Sequence, residues 1–584
     1  MISPSSSAPS RLLLGPLLRH VGATTATVWV QTDRPAEVEV LGCRAATFTV
    51  CANHYALVEV TGLVPGTARP YQVYVDGELA WPPAGSGQPE SRIRTRGGGG
   101  PVRVVFGSCR HPEPDDPEWA ARLGADSMLA YAVRLAARPP GEWPDAFLLL
   151  GDQVYADDPT PQTRRWLDSR RPAGALTPPH EVISFADYAH LYRESWSQPE
   201  IRWLLSTVPT AMIFDDHDVR DDWNTSQAWR AWVTAQPWWP ECIRGALASY
   251  WVYQHIGNLS PEQRHADPSW RAVRAADGDG WPVLAEMAGT ADADPASIRW
   301  SFRWDIDGVR LVMVDTRCGR MLDEGYRSML DEEEWGWVEA AVGEGGAAHI
   351  LIGSSVPWLL PPAISDVQSA NEVASAGGSA AAERLRRAID LEHWPAFRSS
   401  FDRLAALLHR VATGSDAPAT ISVLSGDVHH SYATRVSFTG ETGETGQIGA
   451  PVHQVVCSPM HHSVPWIFRV LMRVGWYRPL ATVIRWLVRR RGVPDPPLSW
   501  ERVIGPYFGT TLATLVLTER DAELLIEAAR RSGAGSALVE QARIELASGV
   551  GPVEGTGGRK VSSGAGVQWS RRVARLGRRA ARHE

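Results

Sequence analysis

The chain has 584 residues, a formal net charge of −8, 44 % hydrophobic residues and 21 % charged residues. At ~150 residues per domain this length implies two or more domains with a large core and excludes a mainly disordered or fibrous chain. The mildly acidic balance argues against a nucleic-acid coat and no specific nucleic-acid partner is expected, while six scattered cysteines without a C-x-x-C pair exclude a disulfide framework and a structural zinc site of the usual spacing.

In chain order, the N-terminus MISPSSSAPSRLLLGPLLRHVG has no basic stretch ahead of its short apolar run. No signal peptide is expected and cytoplasm is the default location. No run of ~18 apolar residues reads as a membrane span. Residues 1–96 are expected to form a small β-sandwich: Thr25-Ala-Thr-Val-Trp-Val-Gln, Ala36-Glu-Val-Glu-Val and Tyr71-Gln-Val-Tyr-Val alternate or are β-branched, punctuated by Gly and Pro. The stretch from Thr61 to Val75 resembles the late strands of a fibronectin type III domain. Gly97 to Gly100 read as a flexible linker.

Residues 101–535 carry another pattern. Strand-length apolar runs end abruptly in polar clusters: Val102–Phe106 before Gly-Ser-Cys-Arg, Ala146–Leu150 before Gly-Asp-Gln-Val-Tyr, Thr210–Phe214 before Asp-Asp-His-Asp, Val309–Val314 before Asp-Thr-Arg-Cys, His349–Ile352 before Gly-Ser-Ser, and Ile421–Leu424 before Ser-Gly-Asp-Val-His-His. Such runs suit strands buried on both faces, with helices expected around 119–138, 330–342 and 396–412. This is an α/β core whose reactive residues gather at strand ends. Residues 511–528 read as a closing hairpin, with a helix as the alternative for their second half. Residues 160–305 form a helical insertion with twelve tryptophans between Trp196 and Trp304, which either walls a site or extends the core. From Ser463 to Pro494 there is no acidic residue, and seven arginines alternate with Trp, Ile, Leu and Val. That pattern suits peripheral contact with an anionic membrane, or a helix pair packed on the domain with solvated arginines. Residues 552–584 are Gly-rich, then Arg-rich, and read as a disordered tail.

The strand ends deliver Cys109, Asp152, Asp215, Asp216, Asp218, His217, Asp427 and His429, all metal-ligand types. Alone, each has a plainer reading: Gly151-Asp152 as a turn, a single histidine as a satisfied polar residue, and Asp157-Asp158 before Pro159 as a turn start. Together, crowded carboxylates repel unless cations neutralise them. Mixed carboxylate, imidazole and thiolate donors suit iron, zinc or manganese, with calcium at an all-oxygen position. Arg110 beside Cys109 favours a thiolate there.

Four motifs occur in order: Phe106-Gly-Ser-Cys-Arg110, Gly151-Asp-Gln-Val-Tyr155, Asp215-Asp-His-Asp-Val-Arg-Asp-Asp-Trp-Asn224 and Ser425-Gly-Asp-Val-His-His-Ser-Tyr432. This set resembles PhoD-type alkaline phosphatases of the calcineurin-like metallophosphoesterase superfamily, over residues about 101–530. The resemblance implies a four-layer αββα sandwich preceded by the fibronectin III-like β-sandwich, and a polymetal centre. It implies Cys109, Asp152 and Tyr155 as iron-binding thiolate, bridging carboxylate and phenolate. Asp216, Asp427 and His429 are implied as further metal ligands, and His217 as general acid. Fe(III) and Ca2+ are the expected ions, with Zn2+ or Mn2+ as alternatives.

The function so read is hydrolysis of a phosphate ester by in-line attack of a metal-bound hydroxide, with His217 protonating the leaving group. Arg110 is the expected phosphate anchor, and Arg220 and Arg317 are further substrate-binding candidates. Two alternatives stand: a phospholipid-directed phosphodiesterase at a membrane surface, and a non-catalytic membrane-associated scaffold.

Overall fold

The computed structural model describes residues 10–548, apart from 173, 175, 440–444, 447–448 and 533–534. The tail expected at 552–584 lies outside the described residues. Four-residue alternation such as Glu37–Val40, where Val38 and Val40 are buried and the glutamates are not, builds the N-terminal sandwich. One sheet runs Leu12–Val21, Ala26–Thr32, Asn53–Val60, Phe48–Val50; the other runs Cys43–Ala46, Glu37–Val40, Val73–Val75, Glu78–Trp81.

This sandwich is not loosely tethered, as the four glycines suggested. Trp29 Nε1 donates to the Val252 carbonyl at 2.9 Å, and Arg19 reaches the Gln254 carbonyl at 2.6 Å and Asn258 Oδ1 at 2.8 Å. These partners belong to the tryptophan-rich helical region. Most of its indoles are core: Trp196, Trp203, Trp223, Trp229, Trp239, Trp251 and Trp300 are fully buried, whereas Trp232 is exposed. The insertion therefore joins the sandwich to the α/β core.

Behind it stand two large sheets. The first runs Thr210–Ile213, Ala146–Leu150, Val102–Gly107, Thr511–Leu517, Ala522–Ser532, Gly535–Ala547, its first three strands parallel and the rest antiparallel. The second runs Phe302–Ile306, Val309–Val314, His349–Ser354, Thr420–Ser425, Val452–Val456, Ser431–Thr439, with four central strands parallel. The parallel strands are buried along their whole length, as their unbroken apolar runs required. The sheets face each other closely: a Cβ at Gly353 would meet Leu150 of the opposite sheet at 3.2 Å. Outside the second sheet, Trp335 and Leu404 from the helices Glu332–Gly343 and Arg398–Thr413 pack on Val312, Ile352 and Val423. Outside the first, the Ser127–Ala136 helix brings Tyr131 against Phe147, ring centroids 6.4 Å apart. The result is a four-layer αββα sandwich.

Two elements differ from expectation at the C-terminal end. Ala522–Ser532 is a strand throughout, because Leu524 and Ile526 alternate into the core. Gly535–Ala547 adds a further strand beyond residue 535. Its sequence GSALVEQARIELA mixes apolar and charged residues, and only Leu546 is fully buried, as suits an edge strand that no long apolar run announces. Among the described residues, no helix is long and apolar enough to cross a membrane.

Candidate metal centre

Every parallel strand of both sheets ends at the same place, and each supplies a polar group there. Val102–Gly107 leads to Cys109, Ala146–Leu150 to Asp152, Thr210–Ile213 to a tight turn at Asp216–Asp218, Val309–Val314 to Asp315 and Arg317, and Thr420–Ser425 to Asp427 and His429. Gly426 lets the halves meet, since a Cβ there would overlap Ser108 and the Leu150 carbonyl. The turns are strained: Cys109, Asp427 and His429 hold φ of 56°, 61° and 48°. Left-handed non-glycine residues concentrated at one place are a mark of functional sites.

Asp152, Asp215 and Asp216 offer carboxylate oxygens that all lie within 4.8 Å of one another, and Asp216, His217 and Asp221 form a second such trio. Asp152 Oδ1, Asp215 Oδ2 and the Tyr155 hydroxyl are buried with no hydrogen-bond partner. Burial, with the charges of Asp215 and Asp427, pushes Asp152 up to about 7, despite His217. Burial also holds Asp216 well above the usual carboxylate range, although Arg317 opposes it. Burial and then Asp152 raise the Cys109 thiol, and burial, Cys109 and Asp152 raise the Tyr155 phenol. These groups resist ionisation together, and a cation placed among them would relieve that repulsion. Unpartnered buried oxygens beside a thiol and an imidazole fit a bound metal. His429, lowered to about 4 by burial, presents a neutral ring.

One cation is already built in. Arg317 is fully buried; its Nε lies 2.5 Å from Asp215 Oδ1, its NH1 2.5 Å from Glu392 Oε2, and its NH2 3.1 Å from Asp216 Oδ1 and 3.6 Å from Asp427 Oδ1. Asp427 is gripped from the other side by His393, Nε2 to Oδ2 at 2.7 Å, and His393 Nδ1 meets Gln368 Nε2 at 2.9 Å. Arg317 therefore braces carboxylates from within the cluster.

The other expected arginines lie elsewhere. Arg110 is buried, with Nε and NH2 on Asp126 Oδ2 at 2.9 and 2.8 Å and NH1 on the Ser195 carbonyl at 2.9 Å. Its side chain is committed to structure, so it neither anchors phosphate nor supports a thiolate at Cys109. Arg220 pairs with Glu181 and stacks over Trp238 at 5.3 Å. Of His429 and His430, only His429 faces the site; His430 Nδ1 meets the Val428 carbonyl at 2.7 Å. His217 Nδ1 lies 2.9 Å from Asp157 Oδ1, so Asp157 is more than a turn residue. Burial opposes the imidazolium, but Asp157 and Asp216 outweigh it and raise His217 well above its ordinary value.

Asp152, Asp216, His217, Asp427 and His429 all line one cavity of about 630 Å³. Sequence reasoning did not reach Glu392, His393 or Gln368. The dense polar run Asp390-Leu-Glu-His393 was the one local signal, but it follows no strand. The stack of His111 on Tyr155, centroids 3.8 Å apart, had no signal, whereas His462, 5.2 Å from Tyr155, belongs to the pair His461-His462, of which strand alternation would aim only one member inward.

The family profile of PhoD-like phosphatases matches residues 120–466, well over half of the chain. The chain belongs to the PhoD-like phosphatase family. A second profile, a domain of unknown function (DUF7800), matches residues 9–93, the sandwich. Among solved structures the chain is similar to PhoD, with TM-score 0.57 and 14 % identity over 93 % of this chain and 91 % of that one. It is also similar to the purple acid phosphatase PPD1 from yellow lupin seeds, with TM-score 0.43 and 12 % identity over 91 % of this chain and 74 % of that one. No curated protein matches. This PhoD-like phosphatase is a phosphoesterase with the metallophosphoesterase fold, and its acidic and imidazole cluster is a candidate metal-binding site.

Proposed function

We propose that this PhoD-like enzyme hydrolyses a phosphate ester at the cluster, with Cys109, Asp152, Tyr155, Asp216, Asp427 and His429 as the residues that hold its metal ions. The thiol and phenol suit Fe(III), and the carboxylates suit Ca2+, with Zn2+ or Mn2+ as alternatives. When bound, such ions neutralise phosphoryl oxygens and acidify water. The observation that carries the reading is the trio Asp152, Asp215 and Asp216, with an unpartnered buried oxygen on each of Asp152 and Asp215, where Asp152 and Asp216 line an open cavity. Asp157 takes Nδ1 of His217, which leaves Nε2 to hand a proton to the leaving oxygen. Arg317 keeps Asp215 and Asp427 oriented, and His393 fixes the second oxygen of Asp427. A non-catalytic scaffold gives no reason for these unpartnered carboxylates.

The test is elemental analysis of protein purified without chelators, beside turnover of p-nitrophenyl phosphate and its bis ester. Asp152→Asn is expected to lose bound metal and to cut turnover by about two orders of magnitude or more, with the far-ultraviolet dichroism unchanged. Wild-type turnover and metal content in that variant would overturn the assignment.

A further inference from the structure

The cavity has an acidic floor and hydrocarbon walls. Ile364 and Val367 of the Pro362–Ala376 helix, Leu471 and Met472 of the Trp466–Gly475 helix, and Leu480 and Ile484 of the Arg478–Arg489 helix surround it. Its volume of about 630 Å³ falls in the ~300–1,000 Å³ range of ligand pockets. These walls are firmly seated: a Cβ at Gly475 would meet Pro361 Cβ at 2.9 Å and Ile364 at 3.0 Å. A phosphate group gains nothing from such a lining, because apolar walls cannot solvate its charge. They serve the part of a substrate that does not react, where remote binding energy is collected.

The same two basic helices turn a second apolar face outward. Trp466 is 74 % exposed, Ile467 59 %, Tyr477 62 % and Trp486 50 %. Ile467 also lines the cavity, so the exposed face and the inner wall are continuous. Exposed arginines border this face: Arg473, Arg490 and Arg491, while Arg478 pairs with Glu501 and Arg489 with Asp495, each at 2.6 Å. The Arg490 guanidinium lies over the Trp486 ring at 3.8 Å. An amphipathic pair with aromatic anchors, arginines and no acidic residue from 463 to 494 is complementary to an anionic lipid surface.

We infer that the substrate is a lipid phosphate ester, drawn from an anionic membrane surface, whose hydrocarbon chain lies between these three helices while its phosphate reaches the carboxylate cluster. The inference rests on the phosphoesterase reading of that site and adds the class of alcohol carried by the phosphate.

Chain length is the test. Ethyl and dodecyl esters are compared below their micellar concentrations in two matched series, alkyl phosphates and alkyl p-nitrophenyl phosphates, with p-nitrophenyl phosphate as reference. The full-length holoenzyme is expected to favour dodecyl over ethyl in kcat/KM by about tenfold or more in whichever series it cleaves. Leu480→Glu should lower that ratio by about tenfold. Phe468→Asp, at a half-exposed position on the cavity rim that tolerates a charge, should lower it in the same direction. In flotation, vesicles of phosphatidylcholine with about 30 mol % phosphatidylserine should carry the protein, and pure phosphatidylcholine should not, at about 0.1 M salt. A dodecyl-to-ethyl ratio near one, or no alkyl ester cleaved by protein that cleaves p-nitrophenyl phosphate, overturns the tail site and leaves the phosphoesterase reading intact. Protein left behind by the anionic vesicles overturns the membrane source. Metal-replete protein that cleaves none of these esters overturns the phosphoesterase reading and this inference with it.

Discussion

Individual side chains divide the work at the cluster. Arg317 lies against Asp215, Asp216, Glu392 and Asp427, with NH2 left without a hydrogen bond, so part of the acid charge is already offset by protein. His217 stands at the cavity with Nδ1 tied to Asp157. In the proposed role of proton donor it would matter in proportion to how poor the leaving group is. His217→Asn should therefore lower kcat on an alkyl phosphate by about 10²–10⁴-fold, but far less on p-nitrophenyl phosphate, whose phenolate departs without a proton. Equal losses on both esters, measured by phosphate release, would remove His217 from the acid role. Cys109, Asp152, Tyr155, His217, Asp427 and His429 stood out as candidates in the sequence because each lies in a strand-terminal motif. Arg110 was misjudged for the same reason: it closes a motif, yet its direction is set by Asp126, sixteen residues on.

The helix Glu332–Gly343 shows how secondary elements carry hidden charge. Asp331 caps it by accepting from the Glu333 and Glu334 amides at 2.8 and 3.0 Å. Glu334 is then driven inward, where its Oε1 accepts from the Ser301 amide at 2.9 Å and its Oε2 has no partner. Burial and then Asp315 push it up to about 8 from 4.5. The folded state therefore keeps a proton that the unfolded chain releases, and this term of stability is full at low pH and declines between about pH 4.5 and about pH 8. Glu334→Gln removes the term. Urea unfolding at about pH 5 and about pH 9 should show wild type losing more stability across that interval than the variant. Parallel losses in both proteins would show that Glu334 ionises normally. Elements with unbroken apolar runs were readable in the chain, since double burial leaves few other assignments. The edge strand Gly535–Ala547 was not, because its apolar residues Leu538, Ile544 and Leu546 are interrupted by Glu540, Gln541, Arg543 and Glu545 and form no unbroken apolar run.

Across the whole molecule, the N-terminal sandwich and the phosphatase core share one hydrophobic cluster through the tryptophan-rich helices. Trp29 and Tyr55 pack on Tyr253, with ring centroids 5.3 and 5.4 Å apart, and Arg264 reaches back to Glu59 at 2.7 Å. Scanning calorimetry is expected to show the sandwich and the core unfolding in a single transition. An early separate endotherm of sandwich size would contradict that coupling. The amino-acid sequence alone determined which strands are buried on both faces, which residues stand at their ends and which chemistry those residue types suit, because burial pattern and ligand type are local properties. It could not determine that Glu392 and His393 reach the cluster, that Arg110 turns away from it, or that the basic helices wall a cavity rather than lie free. Those facts depend on distances between segments tens to hundreds of residues apart, which exist only once two sheets have packed and their strand ends have met.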